Sequence, residues 1–279
     1  MTAPSVSTGE LAPAKGPSVG IPPSSFLYPL AATVILFVVW ELGTRYGGIS
    51  SLILPAPSEI ISTAIDNYDV LLTMSAVTAY EFVLGFALAV VVGLPLGALI
   101  VYARPVEMTI YPLLVAFQTI PKAAIAPILI VWLGTGIMSK VFIAFAISFF
   151  PIMVDTIIGL RSSQPETIYL ARAMGATPFQ VFRYIRFPNA LPAIFGGLKV
   201  AGTLAVIGAI VGEFVSSDRG LGYLLLVANG NLDTRLVFAS VLVLTLLGLA
   251  FFFAIEAMER VCVRWHVSAR QADAAASGE

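Results

Sequence analysis

Long apolar runs separated by short polar segments constrain this chain more than any other feature of its sequence. Hydrophobic residues make up 58% of the 279 residues and charged residues only 11%, whereas a soluble domain carries roughly a quarter charged residues. The mean hydropathy is +0.95. A water-soluble fold of this size could not cover so much apolar surface with polar groups. Most of the chain is therefore predicted to be surrounded by lipid.

Six stretches are long and apolar enough to be membrane-spanning helices, each of which needs about 20 predominantly apolar residues. They lie at 26–44, 76–101, 109–133, 141–160, 193–215 and 236–256. The third stretch is interrupted by Pro121 and Pro127 and contains Lys122. A broken helix is tolerated in a membrane where protein or a water-filled cavity satisfies the freed backbone groups. The predicted fold is all-α, a polytopic membrane protein with about six transmembrane helices.

The two ends of the chain differ in composition from its middle. Residues 1–24 are rich in Pro, Ser, Gly and Ala and lack the basic region of a signal peptide. We interpret them as a disordered cytosolic tail. Residues 25–265 form the predicted membrane domain, and residues 266–279 form a second cytosolic tail.

Basic residues near the span ends predict the orientation, because they are enriched in cytosolic loops. With the N-terminus in the cytosol, ten lie in cytosolic segments: Lys15, Arg104, Arg161, Arg172, Arg183, Arg186, Lys199, Arg260, Arg264 and Arg270. Four lie in outer segments: Arg45, Lys140, Arg219 and Arg235. We expect a multi-pass protein of a bacterial inner (plasma) membrane with both termini cytosolic.

The longest cytosolic loop, 161–192, is predicted to hold two short capped helices. Ser163 and Glu166 have the spacing of a capping box, with a proline in the first turn. This helix is expected to end at Gly175, a residue type favoured just beyond a helix terminus. Thr177 and Gln180 repeat the capping pattern. The second helix is expected to stop before Pro188.

The first loop helix carries a cluster of apolar side chains predicted to face the cytosol: Ile168, Tyr169, Leu170, Ala171 and Met174. Exposed apolar clusters with a charged rim are typical of docking surfaces. An amphipathic helix lying along the membrane interface would have the same composition. The residue pattern alone leaves both interpretations open.

The segments 169–175 (YLARAMG) and 185–188 (IRFP) resemble the EAA loop of binding-protein-dependent ABC permeases, whose pattern is E-A-A, three residues, G, nine residues, I-x-L-P. The matching positions are Ala171, Gly175, Ile185 and Pro188. Tyr169 and Leu170 stand in place of the first Glu and Ala, and Glu166, one turn earlier, is a candidate substitute. The resemblance implies that this loop contains a coupling helix, which includes Met174 and inserts into a groove of an ATPase subunit.

Other segments, in the same order along residues 50–265, resemble permeases for nitrate, sulfonates, taurine and vitamin precursors. They are 54–59 (LPAPSE), 85–97, 207–214 (IGAIVGEF) and 220–222 (GLG). Within this group Glu81 stands where sulfonate permeases usually carry Arg, and residues 120–122 (IPK) resemble permeases for pyrimidine precursors or riboflavin. The resemblance therefore favours a heteroaromatic vitamin precursor as the solute, with a nitrate-, sulfonate- or taurine-type anion as the alternative.

The resemblance also implies the partners of the chain. No G-x-x-x-x-G-K-[ST] phosphate-binding loop occurs in the sequence, so ATP hydrolysis is expected in a separate ATP-binding subunit. A periplasmic or lipid-anchored solute-binding protein and a second permease copy are the other expected partners. The net charge of −1 and the single cysteine give no reason to expect a nucleic-acid partner, a metal or a disulfide. We predict no catalytic group and no cofactor.

Ionisable residues inside spans are costly and commonly mark a translocation pathway. The candidates are Glu81, Lys122 and Glu213, with Gln118 as a weaker one. An internal Glu81–Lys122 pair is the alternative for two of them, and close helix packing at the neighbouring glycines is the alternative for Glu213. The same residues keep open an ion-gradient-driven secondary transporter, whereas a membrane-embedded enzyme would need a polar catalytic constellation that the sequence does not show.

Overall fold

The computed structural model describes residues 24–263, and this part of the chain contains helices and no strand. The helices are α1 (Ser24–Tyr46), α2 (Pro57–Asp66), α3 (Tyr68–Tyr102), α4 (Arg104–Thr119), α5 (Lys122–Leu133), α6 (Ile137–Arg161), α7 (Pro165–Ala173), α8 (Pro178–Val181), α9 (Phe187–Ser216), α10 (Leu221–Gly230) and α11 (Thr234–Cys262). A π-helical turn, Phe182–Arg186, joins α8 to α9. The all-α prediction is confirmed. The predicted tails lie outside the described residues, apart from residue 24.

Within residues 24–263 four helices are long and apolar enough to cross a membrane: α3, α6, the continuous segment Pro178–Ser216, and α11. They contain the predicted second, fourth, fifth and sixth spans. The pair α4 and α5 counts as a fifth span if the two are taken together. The first predicted span, 26–44, lies within α1, a helix that is not one of these four.

The third predicted span is not one straight helix, because α4 and α5 meet at an angle of 108°. Ile120 has an extended backbone (ψ 127°), the conformation that a following proline favours. The predicted interruption at Pro121 is therefore confirmed. The predicted interruption at Pro127 is wrong, since this residue lies inside α5 without ending it.

Helix α6 packs between α3 and α9 through small residues that let the backbones approach closely. Ala144 of α6 lies against Gly85 of α3 on one side and Gly208 of α9 on the other. A Cβ atom at Gly208 would lie 2.6 Å from the Ala144 Cα, and one at Gly85 would lie 2.9 Å from the Val141 carbonyl oxygen. Either distance is too short for a side chain to be added without moving a helix.

We therefore expect Gly208→Ala to lower the free energy of unfolding by about 1–3 kcal/mol, the usual cost of overpacking. Gly196→Ala, on the same helix with no atom within 4 Å of its Cβ position, is the matched control. It is expected to be neutral or stabilising by up to about 1 kcal/mol, because alanine favours helix. Thermal unfolding of both variants in detergent measures the difference, and equal melting temperatures would contradict this packing account.

Candidate functional sites: the 161–192 loop and a buried charge cluster

Helix α7 projects from the end of α6 with one side buried and the other exposed. Ile168 faces inward and is 9% exposed. Tyr169, Leu170 and Met174 are 70%, 63% and 80% exposed. The prediction that Ile168 faces outward is wrong, because this side chain attaches α7 to the body of the protein. The other three form an outward apolar surface, which we call the α7 surface.

The α7 helix begins without the predicted capping box. Its N-cap is Gln164, which makes no side-chain cap hydrogen bond. Ser163 is instead buried, and its hydroxyl accepts a hydrogen bond from the Asn189 side-chain amide of α9 at 3.4 Å. The Ser163–Glu166 capping box is therefore wrong, while Pro165 occupies the first turn as predicted.

The predicted end of α7 at Gly175 is confirmed. Gly175 has φ +88°, a left-handed conformation that glycine adopts without the steric cost of a side chain. Its N–H donates to the Arg172 carbonyl at 3.0 Å, and the Ala176 N–H donates to the Ala171 carbonyl at 3.0 Å. This pair of hydrogen bonds is a Schellman motif. It gives the loop a defined reversal immediately after the α7 surface.

The second loop helix begins as predicted but does not end as predicted. The Thr177 hydroxyl accepts from the Gln180 N–H, and the Gln180 side chain accepts from the Thr177 N–H at 2.7 Å. The expectation that the helix stops before Pro188 is wrong, because the π turn carries it into α9. A π turn shifts the backbone pairing by one residue, and Pro188 lies in the first turn of α9, where its missing N–H is tolerated.

The remaining predicted loop residues lie in the first turn of α7, in the π turn and at the start of α9. Glu166, in α7, is exposed. Ile185 and Pro188 are half-buried beneath the loop and line a cavity together with Ser163 and Asn189. The loop is thus one folded unit, with an outward α7 surface on an anchored base.

A second constellation lies inside the helix bundle, where Glu81 of α3, Lys140 of α6 and Glu213 of α9 are buried together. Their side chains are 0%, 4% and 0% exposed. The Lys140 ammonium lies 3.4 Å from a Glu81 carboxylate oxygen and donates a hydrogen bond to the Ser217 hydroxyl at 2.7 Å. Within the described residues neither Glu81 oxygen has a hydrogen-bond partner. Three helices thus share one buried charge group, which we call the charge cluster.

Glu213 connects the charge cluster to the start of α10. Its two oxygens accept hydrogen bonds from the Thr78 hydroxyl at 2.6 Å and from the Gly222 N–H at 2.5 Å. The Thr78 hydroxyl in turn accepts from the Leu221 N–H at 2.9 Å. These contacts satisfy backbone donors at the N-terminus of α10, where a carboxylate is favourable. A side chain at Gly220 (φ +104°) would overlap the Glu213 carboxylate, so glycine is required there.

The predicted pathway residues therefore occupy two different environments. Glu81 and Glu213 lie in the charge cluster, whereas Gln118 is exposed in the last turn of α4. Lys122 is the first residue of α5, and its side chain is not among those that the structure describes. The cationic neighbour of Glu81 is Lys140, which the sequence analysis assigned to an outer segment. Its helix begins at Ile137, a turn before the predicted span, and this extra turn brings Lys140 into the bundle.

A bundle of apolar spans with an anchored, outward-facing loop helix is the arrangement expected of a transport permease. The sequence model of the family described as "Binding-protein-dependent transport system inner membrane component" matches residues 85–264. The chain belongs to this family. It is a multi-pass membrane protein and the permease subunit of an ABC importer.

Two relatives named for vitamin-precursor or vitamin transport match most of this chain. The formylaminopyrimidine transport permease protein ThiX of Halalkalibacterium halodurans is 39% identical, over 86% of this chain and 96% of its own length. The riboflavin transport system permease protein RibX of Chloroflexus aurantiacus is 36% identical, over 90% and 92%. The taurine transport system permease protein TauC of Escherichia coli is more distant, at 25% identity.

The fold is also similar to a solved structure, the MetNI methionine ABC transporter in an inward-facing conformation. The TM-score is 0.61, and the match covers 71% of this chain and 98% of the other. Sequence identity over this match is 22%, so the similarity supports the fold alone. The predicted importer permease fold is confirmed.

Proposed function

We propose that the α7 surface docks into a groove of a separate ATP-binding subunit, with the 161–192 loop and both termini in the cytosol. The observation that carries this proposal is the exposure of Tyr169, Leu170 and Met174 on a helix that is anchored by the buried Ile168 and ended by the Schellman motif. A helix that only lies on the membrane surface needs no such anchoring. A docking helix benefits from it, because ordering a mobile segment on binding would cost free energy. A solute-binding protein delivers the solute from the other side.

The connection between the loop and the bundle supports a mechanical role. The segment Pro178–Ser216 is one 39-residue helical stretch that runs from the loop to the charge cluster at Glu213. Movement of the loop by the ATPase would therefore reach the opposite end of the bundle along a single rigid element. Alternating access in such a permease requires this kind of transmission between nucleotide state and span orientation.

Gly175→Val is expected to reduce ATP-dependent uptake several-fold while the protein remains in the membrane. A β-branched residue at φ +88° is strained, so the Schellman motif opens and the α7 surface loses its fixed position. Gly136→Val is the matched control, since Gly136 has φ −75° and no atom within 4 Å of its Cβ position. Uptake and ATPase copurification are measured for both. Unchanged coupling in Gly175→Val would contradict the assignment of α7 as the coupling helix.

A second copy of the chain is proposed to cover α4 and α5. None of the 16 residues of α4 is buried, although Val106, Ile110 and Leu114 pack against the bundle on one side. We propose that the solute path follows this bend, where Gln118 and Lys122 lie, and not the carboxylates Glu81 and Glu213, which are enclosed within one subunit. Cysteine cross-linking between copies at Val115, with Cys262→Ser as the background, tests the arrangement.

We propose a pyrimidine-type or flavin-type vitamin precursor as the solute class. The support is the 39% and 36% identity to relatives named for formylaminopyrimidine and riboflavin transport, against 25% for a taurine permease. Competition for uptake among formylaminopyrimidine, riboflavin and taurine tests the proposal. Competition by taurine alone would contradict it.

A further inference from the structure

Two cavities adjoin each other where α3 and α6 end beside the loop. The first, which we call the basic pocket, has a volume of about 510 Å³ and is lined by Arg161, Arg172, Arg186, Glu107, Ser163 and Tyr169 among others. The second, which we call the apolar groove, has a volume of about 540 Å³ and is lined by Pro95, Leu99, Tyr102, Phe179 and Phe182 among others.

The basic pocket carries uncompensated positive charge. Arg161 is paired with Glu107 at 2.6 Å, which leaves Arg172 and Arg186 without an ion pair among the described residues. The Nε atom of Arg186 is buried and has no hydrogen-bond partner in the described part of the chain. Guanidinium groups in this state bind phosphate oxygens well, because their planar fork matches the phosphate geometry.

The basic pocket and the apolar groove meet at one side chain. The Arg186 guanidinium lies over the Tyr102 ring, 5.4 Å from its centroid. The Phe182 ring also packs against the Tyr102 ring, with centroids 5.6 Å apart. The Tyr102 ring is part of the groove, and the guanidinium is part of the pocket. A ligand with an anionic head and an apolar chain would therefore contact both cavities across Tyr102.

The position of the apolar groove along α3 indicates that it faces lipid. Pro95, Leu99 and Tyr102 belong to the last two turns of the membrane-spanning helix α3, so lipid chains surround this part of the protein. The basic pocket lies where α6 ends at Arg161, at the level of lipid headgroups. Basic pockets between span ends on the cytosolic side bind anionic phospholipid headgroups.

We propose that one anionic phospholipid binds here, with its phosphate in the basic pocket and an acyl chain in the apolar groove. The placement in the cytosolic leaflet rests on the orientation in the proposed function. Because Arg172 belongs to α7, Phe179 to α8 and Leu99 to α3, the lipid bridges the loop to the bundle. Anionic lipid is thereby a stabiliser of the anchored loop.

The test is lipid retention by the full-length permease purified with its partner subunits in detergent and exposed to equal amounts of phosphatidylglycerol and phosphatidylcholine. The wild type is expected to retain phosphatidylglycerol preferentially. Arg172→Gln and Arg186→Gln are each expected to reduce that retention about fivefold, the contribution of one basic residue at an anionic membrane surface. Arg219→Gln, an exposed arginine remote from both cavities, is the matched control and is expected to retain the wild-type amount.

Leu99→Trp tests the groove without a charge change, since Leu99 is 49% exposed and the larger ring fills the groove. Reduced phosphatidylglycerol retention in this variant supports the proposal. Displacement of the lipid by millimolar inorganic phosphate, with Leu99→Trp unchanged, would show a free-phosphate site and overturn it. Equal retention by Arg186→Gln and Arg219→Gln would also overturn it. Absence of an ATPase from the wild-type preparation, with lipid selectivity intact, would instead contradict the proposed function alone.

Discussion

The double variant Leu170→Lys, Met174→Lys is expected to abolish copurification of the ATP-binding subunit, with affinity reduced about 100-fold or more. The few residues that dominate the centre of an interface contribute about 2 kcal/mol or more each, and a lysine in the place of Leu170 or Met174 would also bring a charge into a desolvated groove. Both side chains are exposed, at 63% and 80%, so the free energy of unfolding is expected to change by about 0.5 kcal/mol or less. Copurification and thermal unfolding are measured on the same preparation.

Lysine is chosen because it preserves α7. Glu166 lies four residues before position 170, and a Glu to Lys pair at this spacing favours helix. Ile53→Lys, a change of the same kind at a side chain that is 75% exposed in the loop before α2, is the control and is expected to keep the partner. Retention of the ATP-binding subunit by the double variant would show that α7 is not the docking element.

Lys140→Met is expected to lower the free energy of unfolding by about 3–5 kcal/mol, the typical result of removing one member of a buried ion pair. Lys140 is 4% exposed, and Glu81 and Glu213 are both 0% exposed. The substitution therefore leaves two enclosed carboxylates without a cation, and it also removes the hydrogen bond to Ser217. Denaturant unfolding in mixed micelles measures the change.

Two further variants separate buried charge from other causes. Lys199→Met removes a lysine that pairs with Glu259 at partly exposed positions, 25% and 24%, and is expected to cost at most about 1 kcal/mol. Adding Glu81→Gln to Lys140→Met is expected to recover at least half of the lost stability, because one uncompensated carboxylate is gone. A double variant less stable than Lys140→Met alone would contradict the charge-cluster account.

The spans were predictable because the lipid environment restricts which sequences can cross a membrane. A helix that satisfies its own backbone groups and presents about 20 apolar residues is the main solution available, and α3, α6, α9 and α11 follow it. The bend between α4 and α5 was predictable in position from Pro121, since proline restricts the residue before it. Its angle of 108° depends on tertiary packing and has no local signal.

The loop shows where local patterns succeed and fail. Thr177 caps α8 as its spacing predicts, whereas Ser163, with the same kind of spacing, hydrogen-bonds to Asn189 across the loop. A tertiary partner competes successfully with a local cap in the second case. Ile168 could not be separated from its exposed neighbours for a similar reason, because which side of a nine-residue helix is buried depends on the elements beneath it.

The sequence identified two carboxylates of the charge cluster but not their cationic partner. Glu81 and Glu213 stood out because carboxylates in apolar spans need a partner. Lys140 did not, because it lies at a predicted span end, where lysine commonly reaches water. Its burial follows from the meeting of α3, α6 and α9, where Lys140 contacts Glu81 and Ser217, which lie 59 and 77 positions away along the chain. Local spacing in the sequence does not encode contacts of this range.

The most direct test of the central claim is solute uptake by proteoliposomes built from the complex that copurifies with this chain. Formylaminopyrimidine and riboflavin are the probes, with the solute-binding protein outside and ATP either enclosed or omitted. The account predicts uptake of at least one probe only with enclosed ATP, unchanged when ion gradients are collapsed and lost with Leu170→Lys, Met174→Lys. Uptake driven by an ion gradient in liposomes that contain this chain alone, without ATP, would contradict it.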